Sequence, residues 1–233
     1  MSTRRIRDAI AALRRGELIL IYDGKGREEE TDLVAASQFV TKAHIRRMRR
    51  DAGGLICVAV HPKIADKLGL PFLVDVWRHA RDKYPVFKEL EANDIPYDEK
   101  SSFSITVNHR RTFTGITDAD RALTIRELSR IAENALNGYD PREFGRNFRS
   151  PGHVVLLRAA EELLDSRMGH TELSVALLQL AGLTPVATIC EMLGDQGGSL
   201  SPREAREYAR RHGLVFLEGW EIKKFIKQSP GFK

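Results

Sequence analysis

Residues 17–36 read Glu-Leu-Ile-Leu-Ile-Tyr-Asp-Gly-Lys-Gly-Arg-Glu-Glu-Glu-Thr-Asp-Leu-Val-Ala-Ala. The apolar run 17–22 has the length of a buried strand, and it passes straight into Asp23-Gly24-Lys25-Gly26, where two glycines admit backbone conformations that other residues avoid. Leu33-Val34-Ala35-Ala36 reads as a second strand. The acidic stretch Arg27-Glu28-Glu29-Glu30-Thr31-Asp32 therefore falls on a loop held between two strands, a rigid mount for a functional site.

Helical and strand-like patterns alternate on either side. Upstream, residues 3–15 place Ile6, Ile10 and Leu13 on one face, and Gly16 closes an amphipathic helix. Downstream come a helix over 41–51 and a strand over 55–60 that contains Cys57. Residues 71–100 are charged and aromatic without a clean period, and they read as an excursion from the core, centred on 74–100. A strand at 102–108 leads to the polar loop Thr114-Gly115-Ile116-Thr117-Asp118-Ala119-Asp120-Arg121 and a helix over 122–136. Ser150-Pro151-Gly152-His153 precedes a short apolar run and a helix near 158–165. The turn Arg167-Met168-Gly169-His170-Thr171 opens an apolar helix over 172–181, ended by Gly182. A strand at 185–192, a helix at 201–212, a strand at 214–217 and a helix from 219 follow. With no internal repeat and no linker, the pattern predicts one α+β domain over 1–233, its helices packed on a mixed sheet.

At 233 residues, 42% hydrophobic and 30% charged, the chain has the composition of a soluble globular protein able to bury a substantial core. Its longest apolar runs are far too short to cross a bilayer, so no membrane association is expected. The basic start Met1–Arg7 has no apolar segment with a small-residue cleavage site behind it, which favours a cytoplasmic protein. Cys57 and Cys190 lie in separate apolar segments outside any CxxC pair and read as buried free thiols. The net charge of +5 raises nucleic acid as a partner. The basic clusters at Arg46–Arg50, at Arg110-Arg111 and in the Lys-rich C-terminal segment read instead as solvated faces, and no nucleic-acid motif accompanies them.

Three constellations could carry chemistry. Crowded carboxylates raise one another's pKa unless a cation compensates. On a strand-like trace, Glu28, Glu30 and Asp32 share a face and suit magnesium or manganese, although a solvated acidic loop has the same composition. Arg167–Thr171 stands before a helix, where free N–H groups bind anions such as phosphate; Thr171 is a natural N-cap, Gly169 permits close approach and Arg167 adds donors. An ordinary helix cap reads the same way. Glu191 ends an apolar strand, where partial desolvation can poise a base. His153 alone is as consistent with a structural imidazole.

Taken in order, these segments resemble the 3,4-dihydroxy-2-butanone 4-phosphate synthase family of riboflavin biosynthesis. The likeness is carried by Asp23…Arg27-Glu28-Glu29-Glu30-Thr31-Asp32, Gly53-Gly54-Leu55-Ile56-Cys57, Thr114–Arg121, Pro151-Gly152-His153 with Leu157-Arg158-Ala159, Arg167–Glu172 and Ile189-Cys190-Glu191. It covers about residues 5–217. Gly24-Lys25-Gly26 and Glu29-Glu30-Thr31 depart from the family's usual residues, and 74–100 is longer than in its compact bacterial form.

The resemblance implies a three-layer α–β–α arrangement around a mixed, twisted β-sheet, and a homodimer with active sites near the interface. It implies conversion of D-ribulose 5-phosphate to L-3,4-dihydroxy-2-butanone 4-phosphate and formate by a lyase using magnesium or manganese, two divalent cations per site. Glu28 and His170 would hold metal. Arg27, Asp32 and the turn Arg167, Gly169, His170 and Thr171 would bind substrate, the turn taking its phosphate. His153 and Glu191 would move protons, and Asp23, Glu30, Cys57 and Thr114 would line the site. Two other readings stay open: a sugar-phosphate isomerase on the same scaffold, and a non-catalytic nucleic-acid binder.

Overall fold

The computed structural model describes residues 2–91, 94–138, 140 and 142–229. Seven strands form one sheet: β1 (Ile19–Tyr22), β2 (Thr31–Ala36), β3 (Cys57–Val60), β4 (Phe103–His109), β5 (Phe148–Arg158), β6 (Val186–Glu191) and β7 (Phe216–Glu218). Their order is β4-β5-β3-β6-β2-β1-β7. The sheet is mixed: β3 runs parallel to β5 and β1 to β7, and the other neighbours are antiparallel.

Ten α-helices accompany it among the described residues: α1 (Ser2–Arg14), α2 (Lys42–Arg47), α3 (Pro62–Leu68), α4 (Leu73–Ala80), α5 (Val86–Glu89), α6 (Asp118–Ala135), α7 (Arg142–Asn147), α8 (His170–Leu180), α9 (Pro202–Arg211) and α10 (Gly219–Gln228). Side chains alternate across a pleated strand, and the core divides accordingly. Leu20, Leu33, Val58, Leu156 and Cys190 pack with α2, α3, α6 and α9. Ile19, Ile21, Val34, Ala59, Val155 and Ile189 pack with α1, α8 and α10. The arrangement is the expected three-layer α+β fold. Every residue of α8 from His170 to Leu178 is buried, because the helix lies between the sheet and the outer pair α1 and α10.

Four local expectations are corrected. Pro151-Gly152-His153 lies within the long strand β5, and a 3-10 turn at Leu163–Asp165 stands where a helix near 158–165 was expected. The Ala159 N–H donates to the Val60 carbonyl and the Ala160 N–H to Glu172 Oε1, so tertiary partners claim the groups that a helix start would arrange. Leu163 also sits at φ 44°. The N-cap of α8 is Gly169, and Thr171 lies inside the helix. The expected helix 41–51 is α2 followed by a π-helical turn at Met48–Ala52 that ends on left-handed Gly53. Finally, α6 begins at Asp118, where the Thr117 hydroxyl accepts from the Asp120 N–H.

No described residue from 71 to 101 is buried, and the described part of this segment carries the short helices α4 and α5. No described helix is long and apolar enough to cross a membrane. Cys57 and Cys190 are buried free thiols.

Candidate active site

The loop between β1 and β2 is organised by one carboxylate. Asp23, 1% exposed, accepts from the Gly24 N–H (2.8 Å) and the Glu30 N–H (3.1 Å) on Oδ1, and from the Glu28 N–H (2.9 Å) on Oδ2. These bonds bend residues 23–30 back on themselves and turn Glu28 and Glu30 inward. Glu29 is exposed, at φ 57°. The three acids Glu28, Glu30 and Asp32 thus share a cavity as expected, although by a hub-bound loop; only Asp32 stands on a regular strand.

Asp32 and Glu191 face each other across the β2–β6 pair, and Cys57 stands near them on β3. By strand alternation all three point to the α8 side, where they line a cavity of about 390 Å³ with Glu28, Glu30, Arg167, His170 and Thr171. His170, 4% exposed at the start of α8, comes within 3.2 Å of Glu28 Oε2 through Nδ1, within 3.2 Å of the Glu30 carbonyl through Nε2, and within 3.7 Å of Asp32 Oδ1.

The electrostatics follow from this crowding. Burial disfavours the charged His170 ring, yet Asp32, Glu28 and Asp23 outweigh it and raise its pKa to about 10. Burial pushes Asp32 well above the usual carboxylate range, with Glu191, Glu28 and Glu30 adding to the rise against His170. Burial likewise raises Asp23 and Glu191. Glu28 is held low: burial opposes its charge, but His170 and then Arg167 more than compensate.

The donor set fits a hard divalent cation. Asp23, Glu28 and His170 each offer a ligand atom, all within 4.8 Å of one another. Asp32 Oδ1 is buried without a hydrogen-bond partner. Asp23, Glu28 and, 3.7 Å from His170, Asp32 crowd carboxylates around one imidazole, an excess of negative charge that a cation would neutralise.

Glu191 is fixed by its neighbours. Its Oε2 accepts from the Leu55 N–H at 2.7 Å, and its carbonyl accepts from the Gly54 N–H at 3.0 Å. A Cβ on Gly54 would lie 2.4 Å from that Oε2, so the chain passes the carboxylate only as glycine.

At the other wall, the first N–H groups of α8 stand beside Arg167, whose guanidinium folds over Gly169. Arg167 donates Nη1 to Glu172 Oε2 (2.7 Å) and Nε to Asp98 Oδ2 (2.9 Å), and its Nη2 approaches Glu28 Oε1 at 3.5 Å. Arg27 does not line the cavity. It donates to both Asp98 oxygens (2.9 and 3.1 Å) and to the Tyr97 carbonyl.

Two expected residues stand apart. His153, exposed on β5, contacts Asn108 Nδ2 at 3.0 Å through Nδ1, and its N–H donates to Asn108 Oδ1 at 2.9 Å. The same Asn108 amide donates to the Thr114 carbonyl at 3.4 Å. His153 and Thr114 thus form a separate exposed cluster braced by Asn108, and neither lines the cavity.

Sequence reasoning missed Asn108, Asp98, Glu172 and Ser199, whose hydroxyl donates to Glu30 Oε1 at 2.5 Å. Glu172 had a signal, an acid in the first turn of a helix entered by an arginine. Asp98 had none, because its partners lie about 70 residues away on either side.

Comparison with known proteins gives the same family. The family model described as 3,4-dihydroxy-2-butanone 4-phosphate synthase matches residues 7–225. A protein of that name from Methanothermobacter thermautotrophicus is 54% identical over 218 residues, covering 93% of each chain. Another from Archaeoglobus fulgidus is 51% identical, over 92% of this chain and 91% of its own. A crystal structure of a 3,4-dihydroxy-2-butanone 4-phosphate synthase in complex with two magnesium ions superposes with a TM-score of 0.78 at 30% identity, covering 98% of this chain and 99% of the other.

Proposed function

The chain belongs to the 3,4-dihydroxy-2-butanone 4-phosphate synthase family, and from that premise we propose that it converts D-ribulose 5-phosphate to L-3,4-dihydroxy-2-butanone 4-phosphate and formate in riboflavin biosynthesis, acting as a lyase. The observation that carries the reading is the cluster of Asp23, Glu28 and His170, whose Glu28 and His170 line one cavity with Asp32 and Glu191.

Glu28 and His170 would hold divalent metal, magnesium or manganese, with Asp23 close enough to join them. The related structure in complex with two magnesium ions supports magnesium as the metal, with two ions per site as the proposed count. Held by these residues, a hard cation would supply polarisation of neighbouring substrate oxygens and stabilisation of the negative charge of enolisation.

The protein's own groups do the rest. Arg167, with Arg27 behind it, and the free N–H groups of Gly169–Thr171 at the start of α8 take the phosphate and fix the far end of the sugar, turning binding energy into orientation. Glu30 and Asp32 receive hydroxyl groups, and Cys57 closes the floor. Glu191, its carboxyl raised by burial and aimed by the Leu55 N–H, exchanges protons with the substrate carbons. His153 and Thr114 reach this chemistry in a homodimer, where one copy presents its Asn108-braced cluster to the cavity of the other. One continuous sheet supports reading 1–233 as one domain, and a biosynthetic enzyme of this type belongs in the cytoplasm.

The test is direct. Purified protein with magnesium releases one formate per ribulose 5-phosphate consumed, and a chelator stops it. Conversion with all five carbons retained, or no conversion, rejects the assignment.

A further inference from the structure

Among the described residues, every hydrogen bond from segment 71–100 to the rest of the chain ends on Arg27 or Arg167. Four of these five bonds converge on the carboxylate of Asp98. That side chain is 9% exposed, within an excursion that buries no described residue. The remaining order of the excursion is largely its own: Trp77 stacks on Phe87 at 5.6 Å, and Arg78 pairs with Asp75 and Glu91.

Two guanidinium forks on one carboxylate make a seat for a tetrahedral or planar oxyanion. Arg167 reaches it while lying over Gly169, beside the unclaimed N–H groups of α8. The donors that a phosphate would use are therefore the ones that Asp98 holds. A phosphate dianion and an aspartate cannot share them, since like charges at that spacing repel.

We propose that Asp98 is a positioning residue that occupies the seat of the substrate's phosphate between Arg27 and Arg167, and that phosphate entering this seat displaces it and frees segment 71–100. This rests on the reading of the cavity as a sugar-phosphate site. In the free protein Asp98 keeps both arginines aimed and their charge neutralised. On binding, the same donors pass to the ligand, so phosphate affinity and release of the segment are two readouts of one exchange.

The experiment uses the full-length protein with inorganic phosphate as the probe. In a Trp220→Phe background Trp77 is the remaining tryptophan and reports the excursion. Phosphate shifts Trp77 emission and speeds proteolysis within 81–91, with the same midpoint as binding measured by calorimetry. Asp98→Asn and Asp98→Ala, checked for native circular dichroism, bind phosphate about tenfold more tightly, the gain expected when a competitor that fills the seat roughly nine-tenths of the time is removed. Equal or weaker phosphate binding by both variants overturns the proposal, as does phosphate binding without a Trp77 response. Failure of the ribulose 5-phosphate reading is a separate result: no formate from the parent protein, whatever phosphate does to Trp77.

Discussion

Asp32 on β2 and Glu191 on β6 are direct partners in the antiparallel ladder, so a buried and a half-buried carboxylate stand side by side on one face of the sheet. Such a pair is costly to the fold and useful to the chemistry, a common conflict at active sites. Glu191→Gln retains an acceptor for the Leu55 N–H while removing one acid. The variant is expected to raise the thermal midpoint of the metal-free protein by about 2–4 °C, the shift that roughly 1 kcal/mol produces in a domain of this size. Formate release falls about 100-fold or more with the loss of a proton-transfer group. A lower midpoint by calorimetry would reject the repulsion argument.

Gly54→Ala tests how Glu191 is aimed. The added methyl meets Oε2, the carbonyl oxygen and Cβ of Glu191 at 2.4, 2.6 and 2.8 Å, and each must move. A destabilisation of about 1–3 kcal/mol in urea unfolding is expected from such overpacking. Because the displaced group is the proposed base, kcat drops while KM changes little. An unchanged kcat would show that the position of Glu191 is not critical.

Metal binding should depend on both ends of the cluster. Glu28→Gln and His170→Gln each weaken magnesium binding by about tenfold or more, by analogy with the loss of outer groups that already costs 10- to 100-fold at metal sites. Calorimetry on chelator-treated protein measures this directly. Parent-like affinity in both variants would place the ions elsewhere.

Stability near neutral pH carries a separate signature at His109. Burial, aided by Arg111, holds its pKa below the usual 6.5, and its Nδ1 accepts from the Arg111 N–H. A group with a depressed folded pKa contributes fully above its unfolded value, and the contribution is lost as pH falls through the folded one. His109 therefore contributes a decline in urea midpoints as pH drops below about 6.5, against the opposite contribution of the raised Asp32, Asp23 and Glu191 carboxyls. The difference in midpoint between His109→Asn, which keeps an acceptor for Arg111, and the parent should therefore shift in the variant's favour over the same range. Parallel pH profiles would assign any change to other groups, of which His44 and His61 are similarly depressed.

The proposed sharing of sites between the subunits of a homodimer has a quantitative test. Mixing inactive His153→Ala with inactive Glu28→Gln and allowing subunits to exchange should restore about a quarter of parental activity, because half of randomly paired dimers are mixed and each mixed dimer holds one intact site. No recovery would place His153 in the cavity of its own chain.

What was legible in the sequence was local. The apolar runs 17–22 and Leu33–Ala36 announced two strands, and Glu28, Glu29 and Glu30 lie on the loop between them as expected, whereas Thr31 and Asp32 belong to β2. The candidate metal site was legible because carboxylates so dense need a counter-charge. The N-cap of α8 was misplaced because a threonine is the commoner cap, whereas here Arg167 packs over Gly169 and leaves no room for a side chain. The helix expected near 158–165 fails for a similar reason, since Glu172 from a distant turn claims the Ala160 N–H. Asp98 was invisible because nothing in an aperiodic, solvated stretch announces a partner at Arg27 or Arg167.

The place of β6 in the sheet has a consequence for biogenesis. During synthesis the β1–β2 hairpin and the β3–β5–β4 trio can form before residue 186 leaves the ribosome, yet β6 is the strand that joins them. Until it inserts, β2 and β3 each expose an open edge of apolar residues, the kind of surface that seeds aggregation. Insertion of a central strand so late is a non-local, slow event. A nascent chain stalled short of Glu191 would hold two half-sheets without an active site, and chaperone dependence should peak in that interval.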